Sequence, residues 1–397
     1  MRGWRTRALP KASASFTLFD VSETDRPPAE KPSRAKLLPR NMSEVLRRAR
    51  REVDPSVQLP DPVGMGTRLG PYTLEQKIGQ GGMGAVYRAR HDRLPRSVAV
   101  KLLRTRVAGD ESLELFEREV QQTSRLTHPS TVQIFDFGVA QNGVYYYAME
   151  YIEGLTLDEL VQRFGPLPPG RVVYILAQVA HALAEAHEVG LVHRDIKPAN
   201  ILLCDRGGVV DFPKLVDFGL VADLQAPIDP GDSRPRMILG TPMYMAPEAL
   251  MESHRVDART DLYALGAVAY YMLTRHDVFD DPRDMDRLIS MQLRVEPLTP
   301  SRRVRRKLPR DLERLVMQCL AKSPQDRPQS ALAMREALLD CLDARSWTMR
   351  EAEHWWAEQG LSMRRRGADG ERLSGTSRDE TSRIPEWQCR TDRVPVR

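Results

Sequence analysis

The pattern of apolar residues changes near Glu153, and this change constrains the fold more than any other feature of the sequence. Before it, residues 72–152 show strand-like alternation, an early glycine turn and the turn pair Asn142-Gly143. After it, long segments such as residues 171–190 carry apolar side chains at helical spacing. A block of strands followed by a block of helices predicts a two-lobed α+β protein, because βαβ units would alternate the two patterns.

The sequence before Glu153 predicts five strands and one helix. Residues 72–92 and 97–104 read as three strands, and residues 132–152 read as two more strands that are joined by a hairpin. The helix is predicted over residues 112–126, where apolar side chains recur broadly on one side. The first lobe is therefore expected to be mainly an antiparallel sheet.

Helices dominate the sequence after Glu153. The segment 171–190 is apolar enough to be a buried helix, and it ends at Gly190, the residue type favoured just after a helix. Three tryptophans in the last predicted helix are suited to pack it against the body of the protein. The other predicted helices cover residues 260–274, 310–322, 330–343 and 347–361.

Both ends of the chain differ in composition from the middle. Residues 1–71 are predicted to be a largely disordered, proline-rich extension, and residues 1–60 contain thirteen Lys or Arg against seven Asp or Glu. A short helix is predicted after Ser43. We favour a solvated basic arm, with docking to a partner or an anionic surface as the alternative. Residues 343–397 are predicted to form a second extension, a helix followed by a polar, disordered tail.

The composition excludes several classes of protein. The chain has 397 residues, 41% of them apolar, and a net charge of +5, which is too small a bias to indicate nucleic-acid binding. Its four cysteines lie far apart without the spacing of a zinc site or a disulfide framework. No apolar run approaches the roughly 18 residues of a membrane helix, and the N-terminal residues lack the apolar region of a signal peptide. We therefore expect a soluble, cytoplasmic protein without a transmembrane segment.

A glycine-rich run, GQGGMGAV, occupies residues 79–86. Its glycines would let the backbone approach a polyphosphate closely and point N–H groups toward it. The same string also opens dinucleotide-binding folds, but here it spans a predicted hairpin and no helix begins on it. A glycine-rich hairpin without a ligand is an equally strong interpretation of this run alone.

Lys101 ends the apolar run VAVK in a predicted strand. A lysine that points inward among apolar neighbours needs a partner, and Glu119 on the predicted helix would supply one. The alternative is an edge lysine whose ammonium group extends to water.

The run HRDIKPANIL, residues 193–202, gathers ionic and amide side chains in one short loop. Asp195 can accept or orient a hydroxyl proton, Lys197 can neutralise a transferring phosphoryl group, and Asn200 offers a carbonyl oxygen to a metal. Asp217, in DFG, adds a carboxylate that suits Mg²⁺ together with Asn200. A charged surface turn with a local salt bridge is the alternative.

These motifs, in this order and spacing, resemble the eukaryotic-type protein kinase catalytic domain. The resemblance covers residues 72–342 and implies a bilobal α+β fold, with a small N-terminal lobe over residues 72–152 and a larger, mainly helical C-terminal lobe over residues 153–342. Lys197, two residues after Asp195, resembles the serine/threonine class, especially its bacterial members. The matching motifs are GQGGMGAV, VAVK, Glu119, HRDIKPAN, DFG, GTPMYMAPE, DLYALG and DRP.

The resemblance implies ATP and Mg²⁺ as cofactors and serine or threonine hydroxyls of proteins as substrates. The implied catalytic residues are Asp195, Lys197, Lys101, Glu119 and Thr241, and the implied metal ligands are Asn200 and Asp217. The implied ATP-binding residues are Ile78, Gly79, Gln80, Gly81, Gly82, Met83, Gly84, Val86, Ala99, Lys101, Met149, Glu150, Ile152 and Leu202.

Other matched residues are implied to hold the structure together or to regulate it. Asp261 is expected to pin the catalytic loop, and Glu248 with Arg327 to form a buried ion pair. Arg194 is expected to meet an anion from the activation segment, residues 217–248.

Ser233 is our first choice for an activating phosphorylation site, and Asp229 or Asp232 could supply the charge instead. Two departures from the family pattern stand out. Thr123 occupies a place that is often aliphatic in the family. Ala199 replaces an acidic residue of kinases that prefer basic substrates.

Three functions compete. The first is an active serine/threonine protein kinase that also phosphorylates itself in intracellular signalling. The second is a pseudokinase or scaffold that binds ATP without catalysis, which the intact Lys101, Asp195, Asn200 and Asp217 disfavour. The third is a small-molecule kinase, which the APE segment disfavours.

Overall fold

The protein is described here by a computed structural model. Residues 1–63 of the N-terminal extension with its predicted helix, the hairpin turn Asn142-Gly143 and the polar tail after residue 359 lie outside the described residues. The structure describes residues 64–81, 84–103, 117–118, 120–140, 144–218, 242–251, 256–279 and 285–359.

The N-terminal lobe is built on an antiparallel sheet. Among the described residues this sheet has six strands in the order β1-β2-β3-β4-β6-β5. It begins before Tyr72, because Leu69 is buried and β1 pairs with the start of β2. The strands are β1 (Arg68–Leu69), β2 (Tyr72–Gly81), β3 (Gly84–His91), β4 (Ser97–Leu103), β5 (Ile134–Val139) and β6 (Tyr145–Glu150).

Apolar side chains on one face of this sheet form a core of their own. Leu74, Tyr87, Val98, Val100 and Ala148 are buried there in one cluster. Alternation along each strand sends the neighbouring side chains to the opposite face. The register of β4 against β6 pairs Lys101 with Tyr147, so these two residues share that opposite face.

The C-terminal lobe is mainly helical. The long helix α2 begins with a proline in its first turn and ends before Gly190, which has a φ of 77°. Helix α4 begins at Asp257, whose side chain accepts a hydrogen bond from the Arg259 backbone N–H at 2.8 Å. The helices are α1 (Leu157–Phe164), α2 (Pro169–Glu188), α3 (Pro247–Met251), α4 (Ala258–Thr274), α5 (Met285–Arg294), α6 (Pro300–Val304), α7 (Arg310–Cys319), α8 (Ala331–Leu339) and α9 (Met349–Glu358).

One large hydrophobic cluster joins these helices. Leu176 of α2, Val268 of α4, Leu315 of α7 and Met334 of α8 are all buried in it, and Trp356 of α9 belongs to the same cluster. Helix α4 is apolar on nearly every side, which is the pattern of a helix buried in the centre of a lobe.

A second, smaller sheet is formed by one strand that precedes α1 and two strands that follow α2 in the chain. It consists of β7 (Gly154–Thr156), β8 (Ile201–Arg206) and β9 (Val209–Leu215), with β8 in the middle. The run HRDIKPAN ends where β8 begins, and DFG follows β9. Leu215 also bonds to the segment before β5, since its N–H donates to Ser130 O at 2.7 Å and its carbonyl accepts from Val132 N at 3.0 Å. The sheet therefore connects both motifs to the N-terminal lobe.

Two features bear on the expectations from composition. Cys204, Cys319 and Cys341 are buried and unpaired thiols. Among the helices of the described residues, we find none that combines the length and the apolar character needed to cross a membrane.

Candidate active site

Asp261 of α4 anchors the loop that contains HRD. Its carboxylate accepts hydrogen bonds from the backbone N–H groups of His193 at 2.8 Å and Arg194 at 2.9 Å. The His187 Nε2–H donates to it at 2.8 Å. Arg194 has a φ of 64°, an uncommon conformation for a non-glycine residue, which these bonds help to hold.

The anchoring carboxylate is kept ionised. Burial alone would raise the pKa of Asp261, but the hydrogen bond and charge of His187 and the neighbouring His193 bring this pKa below its usual value. The sequence motif indicates Asp261 as the anchor, whereas His187 was missed because a histidine on a buried helix carries no signal of its own.

Asp195, Lys197 and Asn200 converge in this loop. Lys197 Nζ lies 2.8 Å from Asp195 Oδ2 and 3.1 Å from Oδ1. The Asn200 amide donates to the Asp195 carbonyl at 2.8 Å and to Oδ2 at 3.0 Å. Since Asn200 is 5% exposed, the group differs from a solvated surface turn. The carboxylate is held at a fixed position with a cation beside it.

Lys101 and Asp217 form an ion pair between β4 and the segment that follows β9. The Lys101 Nζ lies 2.9 Å from Asp217 Oδ1. Lys101 is 7% exposed, which is not the placement of an edge lysine that extends to water. Tyr147 donates its hydroxyl to the same carboxylate oxygen at 3.2 Å. Burial would raise the pKa of Asp217, but Lys101 and Tyr147 hold it below its usual value.

The donor set fits a hard cation such as Mg²⁺. The amide nitrogen of Asn200 donates to Asp195, so its carbonyl oxygen is directed away from that contact. The Val216 N–H donates to the Asn200 carbonyl of the backbone at 3.0 Å, which ties Asn200 to the residue before Asp217. An amide oxygen and an ionised carboxylate are ligands that Mg²⁺ prefers.

The glycine-rich run contributes the end of β2 and the start of β3. Gly81 pairs with Gly84 at the tip, so both sides belong to one antiparallel sheet. This topology excludes the dinucleotide-binding alternative, in which a helix would follow the first strand. At Gly84 a Cβ atom would lie 2.0 Å from the Leu102 carbonyl oxygen, and therefore only glycine allows this close approach of β3 to β4.

A buried lysine supports Glu150 at the end of β6. Glu150 ends β6, and its N–H donates to Gln133 O at 2.9 Å. Its carboxylate lies 2.6 Å from Lys214 Nζ, which also donates to the Thr131 carbonyl at 3.3 Å. Lys214 is 1% exposed, and burial lowers its pKa against the opposing effect of Glu150. The sequence did not reveal this pair, because its members are far apart in the chain.

Glu248, the last residue of the APE motif, forms a buried ion pair with Arg327. Arg327 donates to both Glu248 oxygens, at 2.7 Å and 2.8 Å, as the motifs predicted. Gln292 of α5 is fully buried, and its amide donates to the carbonyl oxygens of Pro242 at 3.2 Å and Met243 at 2.8 Å. Gln292 was missed because α5 has no recognisable motif.

Apart from Ile152, which follows β6, the predicted ATP-binding residues that the structure describes lie on the six-stranded sheet or at the start of β8. Ile78 is 43% exposed at the end of β2, whereas Ala99 and Met149 are buried register partners on β4 and β6. Leu202 lies on β8, across from Thr156 of β7. The predicted residues that lie outside the described residues are Gly82, Met83, Glu119, Thr241 and Ser233.

Comparison with known proteins agrees with this geometry. A family model described as the protein kinase domain matches residues 72–339. The serine/threonine-protein kinase pkn3 of Myxococcus xanthus is 40% identical over 270 residues, which are 67% of this chain and 49% of that protein. The serine/threonine-protein kinase PknB of Mycolicibacterium smegmatis is 40% identical over 276 residues, 68% of this chain and 42% of that protein.

A solved structure has the same fold. The kinase domain of Mycobacterium tuberculosis PknI, in a double-mutant form, aligns with a TM-score of 0.56 and 28% identity over 71% of this chain and 99% of that chain. The chain spans about half the length of the curated relatives it matches. The predicted bilobal α+β fold is confirmed, and the chain belongs to the protein kinase family.

Proposed function

We propose that this chain is an active serine/threonine protein kinase that transfers the γ-phosphoryl group of ATP to protein hydroxyls and to itself. The observation that carries the proposal is the pairing of Asp195 with Lys197 and Asn200, and of Asp217 with Lys101. The hydrogen bond from the Val216 N–H to the Asn200 backbone carbonyl, at 3.0 Å, ties the two groups together. Phosphoryl transfer depends mostly on positioning and on charge neutralisation, and these are the side chains that such a reaction needs.

Each residue has a distinct role in this proposal. Asp195 orients the incoming hydroxyl and accepts its proton, and Lys197, 2.8 Å away, stabilises the charge on the transferring group. Lys101 moves its ammonium group from Asp217 toward the α- and β-phosphates. Asn200 and Asp217 would hold Mg²⁺, which when bound neutralises charge on the phosphate oxygens.

The remaining roles rest on the family resemblance, and some of the residues that have them lie outside the described residues. Glu119 would hold Lys101 once the nucleotide binds, and Thr241 would brace Asp195 and Lys197. Residues 78–84 would cover the phosphates. The adenine would lie between Val86 with Ala99 on one side and Leu202 on the other, beside Met149 and the backbones of Glu150 and Ile152.

Regulation, boundaries and partners are also part of the proposal. Ser233 is the proposed activating phosphorylation site, with Asp229 or Asp232 as the alternative source of charge for Arg194. The catalytic lobes are assigned to residues 72–152 and 153–342. The basic N-terminal extension is a proposed docking segment for a partner or an anionic surface, and the cytoplasm is the proposed location.

The test compares phosphate incorporation by the wild type, Asp195→Asn and a control, Asp340→Asn, in which the changed carboxylate is exposed and lies at the end of α8. We expect Asp195→Asn to lose at least about 100-fold in rate, because the hydroxyl is no longer oriented. The control should match the wild type. Equal incorporation by all three proteins would refute the catalytic proposal, and ATP binding without incorporation would favour the pseudokinase alternative.

Mass spectrometry of the wild-type protein, after incubation with Mg²⁺ and ATP, locates the phosphorylated residues. We expect phosphate on Ser233 and loss of activity in Ser233→Ala. An active enzyme with unmodified Ser233 would end the proposal for that residue.

A further inference from the structure

Tyr147 lies directly across from Lys101 in the sheet of the N-terminal lobe. The two are register partners on β6 and β4, so their side chains leave the same face of the sheet. Tyr147 is 1% exposed, and the Lys101 Nζ lies 6.0 Å from the centroid of its ring. The phenol therefore lies next to the cation of the candidate active site and is shielded from solvent.

The hydroxyl of Tyr147 reaches beyond Lys101 to Asp217. It donates to Asp217 Oδ1 at 3.2 Å, and the Lys101 Nζ lies 2.9 Å from the same oxygen. The two donors differ in kind, because the phenol is rigid and packed in the sheet whereas the ammonium group sits on a flexible four-carbon chain. One carboxylate is thus oriented by a fixed donor and a mobile one.

The two donors differ in whether they keep their contact with Asp217 when a nucleotide binds. In the proposed function Lys101 turns to the phosphates, so it is not a constant support for Asp217. Tyr147 stays in place, because its buried hydroxyl would lose its hydrogen-bond partner if it left Asp217. Asp217 has a φ of 58°, an uncommon backbone conformation that also needs support from its surroundings.

We propose that Tyr147 is a positioning residue for the Asp217 carboxylate, which its hydroxyl holds ready for Mg²⁺ in the nucleotide complex. This inference rests on the proposed function, since it concerns the metal that ATP brings. Partners that hydrogen-bond to a metal-binding carboxylate orient it, and their loss commonly weakens metal affinity by about 10- to 100-fold. Tyr147 would accordingly tune the metal requirement without touching the substrate.

Tyr146 provides a matched control on the same strand. It is also buried, but it belongs to the core on the other face of the sheet, with its ring centroid 6.5 Å from that of Tyr72. Tyr146→Phe and Tyr147→Phe each remove one buried hydroxyl from adjacent positions of β6. Only the second change removes a donor to Asp217.

The experiment measures ADP binding by calorimetry, with and without Mg²⁺, in the full chain as the parent protein, because ADP has no γ-phosphoryl group and no turnover occurs. We expect Tyr147→Phe to weaken ADP binding about tenfold with Mg²⁺ present and to leave binding without Mg²⁺ unchanged. Tyr146→Phe should match the parent in both conditions. In the otherwise wild-type enzyme, Tyr147→Phe should raise the Mg²⁺ concentration for half-maximal rate about tenfold and keep the rate at saturating Mg²⁺ within about twofold.

A further variant separates positioning from general loss of structure. The Mg²⁺ increment is the gain in ADP affinity when Mg²⁺ is added. In an Asp217→Asn background, Tyr147→Phe should not change this increment further, because the carboxylate that Tyr147 orients is gone. Additive effects, an unchanged Mg²⁺ increment in Tyr147→Phe, or an equal effect from Tyr146→Phe would each overturn the inference. A parent protein that binds no ADP under any condition would refute the proposed function as well, which is a different result from a normal parent with an unaffected variant.

Discussion

Arg171 and Asp211 form a fully buried, bidentate ion pair inside the C-terminal lobe. Arg171 Nε donates to Asp211 Oδ2 at 2.9 Å and Nη2 donates to Oδ1 at 2.7 Å. The indole N–H groups of Trp347 and Trp356 donate to the two oxygens at 2.9 Å and 2.7 Å. Both tryptophans follow residue 339, where the match to the family model ends. The chain's own C-terminal segment thus completes a buried charged site.

The first prediction concerns this tryptophan-bearing segment. Trp356→Phe keeps most of the buried ring but removes one donor from a buried carboxylate, so we expect a loss of about 1.5–3 kcal/mol in the free energy of unfolding. Trp355→Phe is the control, since Trp355 contacts Arg171 with its ring, 4.0 Å from the guanidinium carbon. Urea unfolding measures both variants, and an equal loss in the two would contradict the role of the indole N–H.

Truncation provides an independent test of the same segment. Removing residues 343–397 takes away both indole donors, whereas removing residues 360–397 leaves them. We expect the free energy of unfolding of the chain that ends at residue 342 to be about 3–5 kcal/mol lower than that of the chain that ends at residue 359, because a buried charge is left incompletely bonded. Similar stability of the two would show that the lobe is complete without α9.

The second prediction concerns Glu248 and Arg327. Both are buried, and Glu248 also accepts from Thr260 Oγ1 at 2.9 Å. Arg327→Met should cost about 3–5 kcal/mol, because an unpaired carboxylate remains in the interior. The double change Glu248→Met with Arg327→Met should recover part of this loss. Unfolding free energies that simply add would argue against direct coupling of the pair.

The third prediction is a pH dependence that originates at His128. The Ser130 N–H donates to its Nδ1 at 3.1 Å, and its Nε2 lies 3.0 Å from His181 Nδ1. Burial, together with His181, lowers the pKa of His128 from 6.5 to about 4, with Glu185 acting in the opposite direction and Arg335 and Lys214 adding to the decrease. The unfolded chain therefore takes up this proton at a higher pH than the folded protein does.

This difference in proton uptake determines the direction in which stability changes with pH. The contribution of His128 to stability is complete above pH 6.5 and is lost as the pH falls from there toward about 4. Because the side chain is half-buried, we expect a loss of about 1 kcal/mol between about pH 7 and about pH 5. This loss is measured by urea unfolding at both pH values, as the difference in unfolding free energy between the wild type and His128→Gln. His354→Gln, an exposed control, should keep the slope of the wild type, and a wild-type slope in His128→Gln would disprove the assignment.

The fourth prediction concerns Gln292 and the binding of protein substrate. Its amide holds the backbone of Pro242 and Met243, next to the APE segment, and the Tyr263 hydroxyl donates to it at 2.5 Å. Gln292→Met fills the same space without these bonds, so we expect KM for a protein substrate to rise between about threefold and tenfold through looser positioning. KM for ATP should stay constant, because the side chain of Gln292 bonds to Pro242, Met243 and Tyr263, none of which is a predicted ATP-binding residue. A parallel rise in both KM values would mean a general loss of structure.

Much of the site was predictable because its residues lie close together in the chain. Asp195, Lys197 and Asn200 fall within one loop, and the hydrogen bonds among them join residues no more than five positions apart. The order of strands and helices was also readable, because alternation and helical spacing reflect burial on one face or another. The exceptions were short strands such as β1 and β7, which are too brief to show a period.

The sequence by itself determined the family, the two-lobed order of elements and the identity of the motif residues. Only the tertiary structure decided which side chains stand behind them: Tyr147 behind Asp217, Lys214 behind Glu150, and Trp356 with Asp211. Each of these contacts joins residues that are 64 or more positions apart. A local pattern records which face of an element is buried, but the partner on that face depends on how strands register and how helices pack, which no single segment of the chain encodes.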